Sequence, residues 1–424
     1  MTEQKVPKMT SSPSAPSSGT AGRPLDGIKV LAIEHILAGP FCSMWLADAG
    51  AEVVKIEAPR SGDIARSNSP TRPDAEGKQQ GLSFLRGNRG KKSVTLDLKN
   101  PEGLATFLEL AVEADIVVEN LRPGVMDRLG IGYEALRQLN PRLIYVAISG
   151  FGHKDILPSP YLDNPAFDII GQALSGLMKR PEREGEKPAY LGFSLADIQG
   201  GILGAYGAML ALFQRMMTGQ GQMVDISLYD SCLILNEISV AMYSAFGTIP
   251  KPGLHAVTAP FGSYRTKDGY IVIAVMGEHI WRRLCETIER PDLLADSRFR
   301  DGMSRSANNA DLTAELEPWL LARTADDAVM ELVAASVPAS KVHEIDDVFR
   351  CPHAAARNML MTLDDPVWGP IQVAGNPVKM SAVAEVEPRL PPRLGEHNEQ
   401  VLSGWLGADP ARIARLRASG AIGD

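Results

Sequence analysis

The chain has 424 residues, enough for two or three core-sized units, and its 45% hydrophobic and 22% charged content is that of an ordinary globular protein. A formal net charge of -8 argues against a nucleic-acid binder, which needs a basic surface. Cys42, Cys232, Cys285 and Cys351 lie far apart with no C-x-x-C pair, so neither a zinc site nor a disulfide frame is expected.

Residues 1–22 are rich in Ser, Pro and Thr and lack the apolar run of a signal peptide; they read as a disordered tail. A strand over 28–34, a helix entered at Gly39-Pro40 and a strand over 52–56 open a parallel α/β sheet. Pro40 suits a first helical turn, where a missing N–H costs nothing. The turn from Glu34 to Gly39 has no G-x-G-x-x-G, the run that lets backbone approach a pyrophosphate. The layout is Rossmann-like without a dinucleotide grip, which disfavours a nicotinamide oxidoreductase.

Further strands are predicted over 93–97, 115–118, 143–148 and 222–228, alternating with helices over 101–113, 165–178 and 198–216. That alternation defines an α/β fold with a large Rossmann-like parallel-sheet domain. Its most apolar stretch, Ile202 to Met217, carries glycines and an Arg and is short for a membrane span, so a buried helix is expected. The pattern breaks at Pro250-Lys-Pro-Gly253. Residues 263–274 then read as a hairpin turning at Asp268-Gly269, with helices over 277–288, 306–322 and 325–336, a smaller α+β domain. Short helices return from Pro391 onward.

Several motifs are set aside on their chemistry. Gly87 to Ser93 is no Walker A, because Leu85 stands where the first glycine belongs and the strand follows rather than precedes. Gly201, Gly204 and Gly207 recur at helical spacing and fit close helix packing. The seven histidines make no ligand cluster, and no G-x-S-x-G elbow is present. Asp197, just ahead of a long apolar run, reads on residue type alone as a helix N-cap. The cluster Arg86, Arg89, Lys91 and Lys92 reads on charge pattern as a solvated turn.

One set of segments recurs in a fixed order. It comprises Pro24-Leu-Asp-Gly-Ile-Lys-Val-Leu31 with Ala38-Gly-Pro40, Ala51-Glu-Val-Val-Lys-Ile-Glu-Ala-Pro59 with Gly62-Asp63, and Arg89-Gly-Lys-Lys-Ser-Val-Thr-Leu-Asp-Leu-Lys99. Val118-Glu-Asn-Leu-Arg-Pro-Gly124, Asn140-Pro-Arg-Leu-Ile-Tyr-Val-Ala-Ile-Ser-Gly-Phe-Gly152, Ala196-Asp-Ile-Gln-Gly-Gly201 and Leu394-Gly-Glu-His397 complete it. Across nearly its whole length the chain resembles the class III CoA-transferases, a family that includes the α-methylacyl-CoA racemases.

The resemblance implies a large domain begun by residues 23–228, a small domain with its linker over 229–345, and a return segment over 346–424 completing the large one. It also implies an interlocked homodimer, acyl-CoA and a carboxylic acid as substrates, and no permanently bound cofactor; charge, the tail's composition and the short apolar segment lead to the expectation of a cytoplasmic protein with no nucleic acid or membrane as partner. It makes Asp197 the catalytic nucleophile. A carboxylate is already ionised near neutrality and attacks without a partner base. Gly200 and Gly201 follow at the helix start, where backbone can come close.

For CoA itself the resemblance implies contacts from His35, Ile36, Leu37 and Ala38 in the first βα loop, from Leu96 and Lys99, from Asn120 and Leu121, and from Arg128. Some members carry an Arg soon after K-I-E, where Ala58 and Pro59 stand here, and Arg60 is the candidate to replace it. Beside this resemblance the basic cluster is expected to meet phosphate. Racemases of the family carry G-H-D; here Phe167 occupies the His position and carries no proton, while His153 falls outside the motif and reads as a surface-loop residue. The transferase reading is preferred, with a racemase or a non-catalytic CoA-binding protein as alternatives. The wording of His255 to Gly262 is similar to members acting on itaconate, mesaconate or citramalate with succinyl-CoA as donor, and His255 and Arg265 are candidates to meet a second carboxylate. The glycine-run loop of formyl-CoA:oxalate members is absent.

Overall fold

A computed structural model describes residues 22–179, 187–249, 255 and 257–423. The expected tail, apart from Gly22, and the break at 250–253 lie outside the described residues. Six strands form the central sheet: β1 (Lys29–Ile33), β2 (Glu52–Glu57), β3 (Lys92–Thr95), β4 (Ile116–Glu119), β5 (Ile144–Ser149) and β6 (Met223–Ser227). Their spatial order is β3-β2-β1-β4-β5-β6, and every neighbouring pair is parallel. This is the doubly wound order of the mononucleotide-binding folds.

The inner strands β1, β4 and β5 are largely apolar on both sides because helices cover both faces of a parallel sheet. Along β1, Val30 and Ala32 face one core with α1 (Ala38–Asp48) and α4 (Leu195–Thr218). Leu31 and Ile33 face the other with α2 (Pro101–Glu113). Helix α2 starts where the sequence dictates: Pro101 at its first position and the Asn100 side chain accepting from the Glu102 N–H. The chain's end belongs to this second core, since Val401, Leu402, Trp405, Leu416 and Ile422 pack with Phe107 and Leu110.

The predicted 165–178 helix is shorter, α3 (Asp168–Leu174), and α4 is longer than expected at 24 residues. By length and apolar composition α4 would span a membrane. One of its faces is nonetheless committed to the protein. A Cβ on Gly201 would stand 2.8 Å from the Ala38 carbonyl, one on Gly204 would stand 3.0 Å from Cys42 Sγ, and one on Gly207 would stand 2.5 Å from Val224. Close packing is therefore what these glycines serve. After β6 the chain forms two helices absent from the sequence reading, α5 (Leu228–Leu233) and α6 (Glu237–Phe246).

A third core lies within residues 259–339. The hairpin Phe261–Arg265 and Tyr270–Ala274 gains a third strand at Ala339–Lys341, and Trp281, Leu284, Phe299, Leu316 and Leu332 pack around it. The single helix expected over 306–322 is two, Gly302–Ala307 and Asn309–Leu321. A two-stranded ribbon, Leu360–Asp365 with Gly369–Ala374, follows.

Candidate active site

Strand order reverses between β1 and β4, and in open parallel sheets ligands bind in the crevice outside the strand carboxyl ends at that point. Asn120, just beyond β4, closes it. Its Oδ1 accepts from the His35 N–H at 2.8 Å and its Nδ2 donates to the His35 carbonyl at 2.9 Å. Gly39 makes room, since a Cβ there would stand 2.9 Å from Asn120 Oδ1. Ile36, a β-branched residue, is held at φ +66. A left-handed conformation costs such a residue about 1–3 kcal/mol and persists only where the surroundings impose it. Here the Ile36 N–H donates to Asp63 Oδ1 at 3.1 Å, and His35 Nδ1 lies 3.7 Å from the same oxygen.

Below this loop sits a buried charge cluster. Lys55 Nζ reaches Asp63 Oδ2 and the Glu34 carbonyl, both at 2.9 Å, and Lys91 Nζ reaches Glu34 Oε1 at 2.6 Å, with all four side chains fully enclosed. Lys55 holds the Asp63 carboxyl far below the ordinary range against the opposing effect of burial. Glu57 is gripped by Arg66 at 2.7 and 2.8 Å. The cluster serves as a rigid floor under His35 to Ala38.

This arrangement corrects one expectation. Lys91 is buried on Glu34, Arg89 makes a buried bidentate pair with Asp48 at 2.6 and 3.0 Å, and Lys92 pairs with Glu52 at 2.7 Å. Three of the four cations expected at phosphate are structural, because carboxylates of neighbouring elements claim them. Arg86 alone is exposed and has no hydrogen bond or ion pair among the described residues.

Asp197 occupies the first turn of α4 but does not cap it. The Ser194 side chain at the cap position makes no capping bond. Instead Asp168, the first residue of α3, reaches across: its Oδ1 accepts from the Ala196 N–H and from the Asp197 N–H at 3.3 Å, while its Oδ2 accepts from Gln172. The carboxylate of Asp197 is thereby left unused by the helix. Burial first, then the Asp168 charge, pushes its pKa up to about 7, with Arg86 pulling it down. A desolvated carboxylate is a stronger nucleophile than a hydrated one, and burial raises its pKa toward the neutral range.

The remaining expected residues divide. Arg60, Lys99 and Arg128 are exposed and make no ion pair among the described residues, while Leu121 packs half-buried beside the core. Leu37 and Ala38 are buried and can offer only backbone. Leu96 is a core side chain, 2% exposed, and a side-chain contact from it to a ligand is ruled out by packing. His153 is likewise buried rather than a surface residue, with its N–H donated to Asp225 at 2.9 Å. His255 stacks on Phe261 at 4.6 Å, at one end of a strand that Arg265 ends. About 13 Å of extended chain separates those ends. Phe167 is exposed just before α3.

The sequence of residues 25–398 matches the CoA-transferase family III model. The chain belongs to CoA-transferase family III. It is 39% identical over 381 residues to a succinyl-CoA:mesaconate CoA-transferase of Haloarcula hispanica, covering 89% of this chain and 95% of that one. It is 35% identical to the succinyl-CoA--D-citramalate CoA-transferase of Chloroflexus aurantiacus, covering 96% and 100%. Among solved structures, a CAIB/BAIF family protein from Brucella suis superposes with TM-score 0.78 at 33% identity, covering 91% and 100%.

As a family III CoA-transferase the protein is an enzyme, and CoA thioesters and carboxylates are its substrates. Three residues of its crevice were given no role, or a different one, by the sequence reading. Asp168 lies 29 positions before Asp197, Asp63 lies 27 positions after Ile36, and Arg86 was grouped with cations that fold inward. Asp63 and Asp168 both stood inside recognised motifs, Gly62-Asp63 and the last position of G-H-D.

Proposed function

We propose that the enzyme transfers CoA from succinyl-CoA to a small branched dicarboxylate of the mesaconate, itaconate or citramalate type, with Asp197 as covalent nucleophile. The observation that carries the mechanism is the division of labour at α4, where Asp168 caps the helix and Asp197 is left as an unpaired, partly desolvated carboxylate. Asp197 Oδ attacks the thioester carbonyl; the C–S bond breaks and CoA leaves as thiolate, giving a mixed anhydride. The thiolate attacks the aspartyl carbonyl, which expels the donor carboxylate and leaves an aspartyl-CoA thioester. The acceptor carboxylate attacks that thioester, CoA leaves again, and its return to the acceptor carbonyl restores the Asp197 carboxylate. Each attack places negative charge on a carbonyl oxygen, which the positive end of the α4 dipole stabilises.

CoA lies along the switch-point crevice in this reading. Backbone of His35 to Ala38 and of Asn120 and Leu121 lines it, and the unpaired Arg60, Lys99 and Arg128 meet its phosphates. No bound cofactor, nucleic acid or membrane enters the reaction, and the cytoplasm supplies the substrates. The assembly is a homodimer. Supporting this, α4 and α6 expose the large apolar side chains Tyr206, Leu210, Phe213, Met216, Tyr243 and Phe246, which a partner subunit would cover. In addition, no hydrogen bond or ion pair among the described residues joins 255–343 to the large unit. The α-proton exchange of a racemase lacks an acid/base partner at Phe167.

The substrate reading is tested by kcat/KM for mesaconate, itaconate, citramalate, oxalate and long-chain acids with succinyl-CoA as donor. Preference for the branched C5 diacids is expected, and preference for long-chain or aryl acids contradicts it.

A further inference from the structure

Two glycines bring separate parts of the chain onto the same turn of α1. A Cβ on Gly87 would stand 3.3 Å from Pro40 Cβ and 3.6 Å from the Phe41 nitrogen. A Cβ on Gly201 would stand 2.8 Å from the Ala38 carbonyl and 3.1 Å from the Cys42 nitrogen. Arg86 immediately precedes the first glycine, and Asp197 lies one helical turn before the second. The first turn of α1 therefore holds the Arg86 backbone and the Asp197 turn close together.

The segment bearing Arg86 is anchored. Asn88 Nδ2 donates to the Phe84 carbonyl at 3.0 Å, and Lys91 Nζ binds both Asn88 Oδ1 and the Pro40 carbonyl at 2.9 Å. The other three cations of the segment are consumed by Asp48, Glu34 and Glu52. Arg86 is exposed, makes no direct ion pair with Asp197, and still acts on its charge.

Reaction chemistry supplies a need for such a group. In every step above only one end of a dicarboxylate reacts, and the other remains an anion from entry to release. An uncommitted guanidinium on an anchored segment beside the nucleophile's turn, offering a planar pair of donors, suits that second carboxylate. We propose that Arg86 binds the remote carboxylate of the acceptor while the reacting end meets Asp197, and that it thereby sets the preference for diacids over monoacids. The proposal rests on the dicarboxylate reading given above.

Mesaconate and tiglate share a carbon skeleton and differ by a carboxylate in place of a methyl group. With saturating succinyl-CoA, kcat/KM for each acceptor reports on the CoA-charged enzyme, and the mesaconate/tiglate ratio within one preparation is unaffected by the fraction folded. Arg86→Ala is expected to lower that ratio about a hundredfold, the effect of losing a charge-assisted pair, and Arg86→Lys to restore part of it. An unchanged ratio in Arg86→Ala, with both acceptors slowed alike, overturns the role of Arg86 while leaving the dicarboxylate reading standing. A wild-type enzyme that prefers tiglate overturns that reading, and Arg86 with it, before any variant is made.

Discussion

Asp197 is pushed toward neutrality by burial and by Asp168, and its chemistry needs the ionised form. Protonation near pH 7 therefore removes the nucleophile, and kcat/KM for the acyl-CoA donor rises with pH through about 7 and then levels. Asp168→Asn keeps an acceptor for the Ala196 N–H but deletes a like charge, so ionisation becomes easier and the rising limb moves to lower pH. A limb that stays in place in the Asp168→Asn pH profile contradicts this coupling. Lys91 gives a contrasting residue-scale prediction. It is buried against Glu34, so Lys91→Ala leaves that carboxylate with only Lys55 at 3.5 Å and the Ser43 hydroxyl at 2.8 Å and lowers stability by about 1–3 kcal/mol. Denaturant unfolding checks the loss, and the folded enzyme should not show the selective rise in acyl-CoA KM that follows loss of a phosphate contact. At this scale the sequence showed Asp197 only through resemblance, because its spacing fits an N-cap equally well. The partner that frees it comes from another helix, a contact no local pattern encodes.

At the scale of elements, the crevice is a consequence of how closely α1 and α4 approach. Gly201 permits that approach. Gly201→Ala places a methyl against the Ala38 carbonyl, and one of the two helices must move. A loss of about 1–3 kcal/mol is expected, together with a fall in kcat larger than that of Gly404→Ala, a glycine with open space around it. Equal effects from the two variants, by melting temperature and turnover, contradict the packing role of Gly201. The six sheet strands were readable to within about two residues because each is a short apolar run bounded by turn residues. Helix α6 was not, since it buries no residue within the chain and its apolar side chains follow no core-facing stripe. The Leu360–Asp365 strand did carry a period-two signal in Met361 and Leu363, both buried, but it lies in a stretch read only as part of the return segment, with no element assigned before Pro391.

For the whole molecule, one chain presents a complete switch-point crevice and an incomplete surface. Helices α4 and α6 expose large apolar side chains, and the 259–339 core forms no hydrogen bond or ion pair with the sheet among the described residues. Burying the apolar faces in a symmetric pair resolves the first feature. Sedimentation equilibrium is expected to give twice the 45.7 kDa chain mass at assay concentrations, and a fully active single chain contradicts the dimer. The doubly wound layout was readable from alternation alone. The CoA-transferase activity came from ordered motifs, and composition was silent on the partner and the acids.

Covalent chemistry at Asp197 is the claim on which the account stands, and intact-protein mass after mixing with succinyl-CoA tests it most directly. The wild-type chain should gain the mass of CoA held as a thioester; hydroxylamine should convert it to a hydroxamate that peptide mapping places on Asp197, and Asp197→Ala should gain nothing. An active wild-type enzyme that never carries the adduct, or an Asp197→Ala chain that carries the same one, contradicts the account.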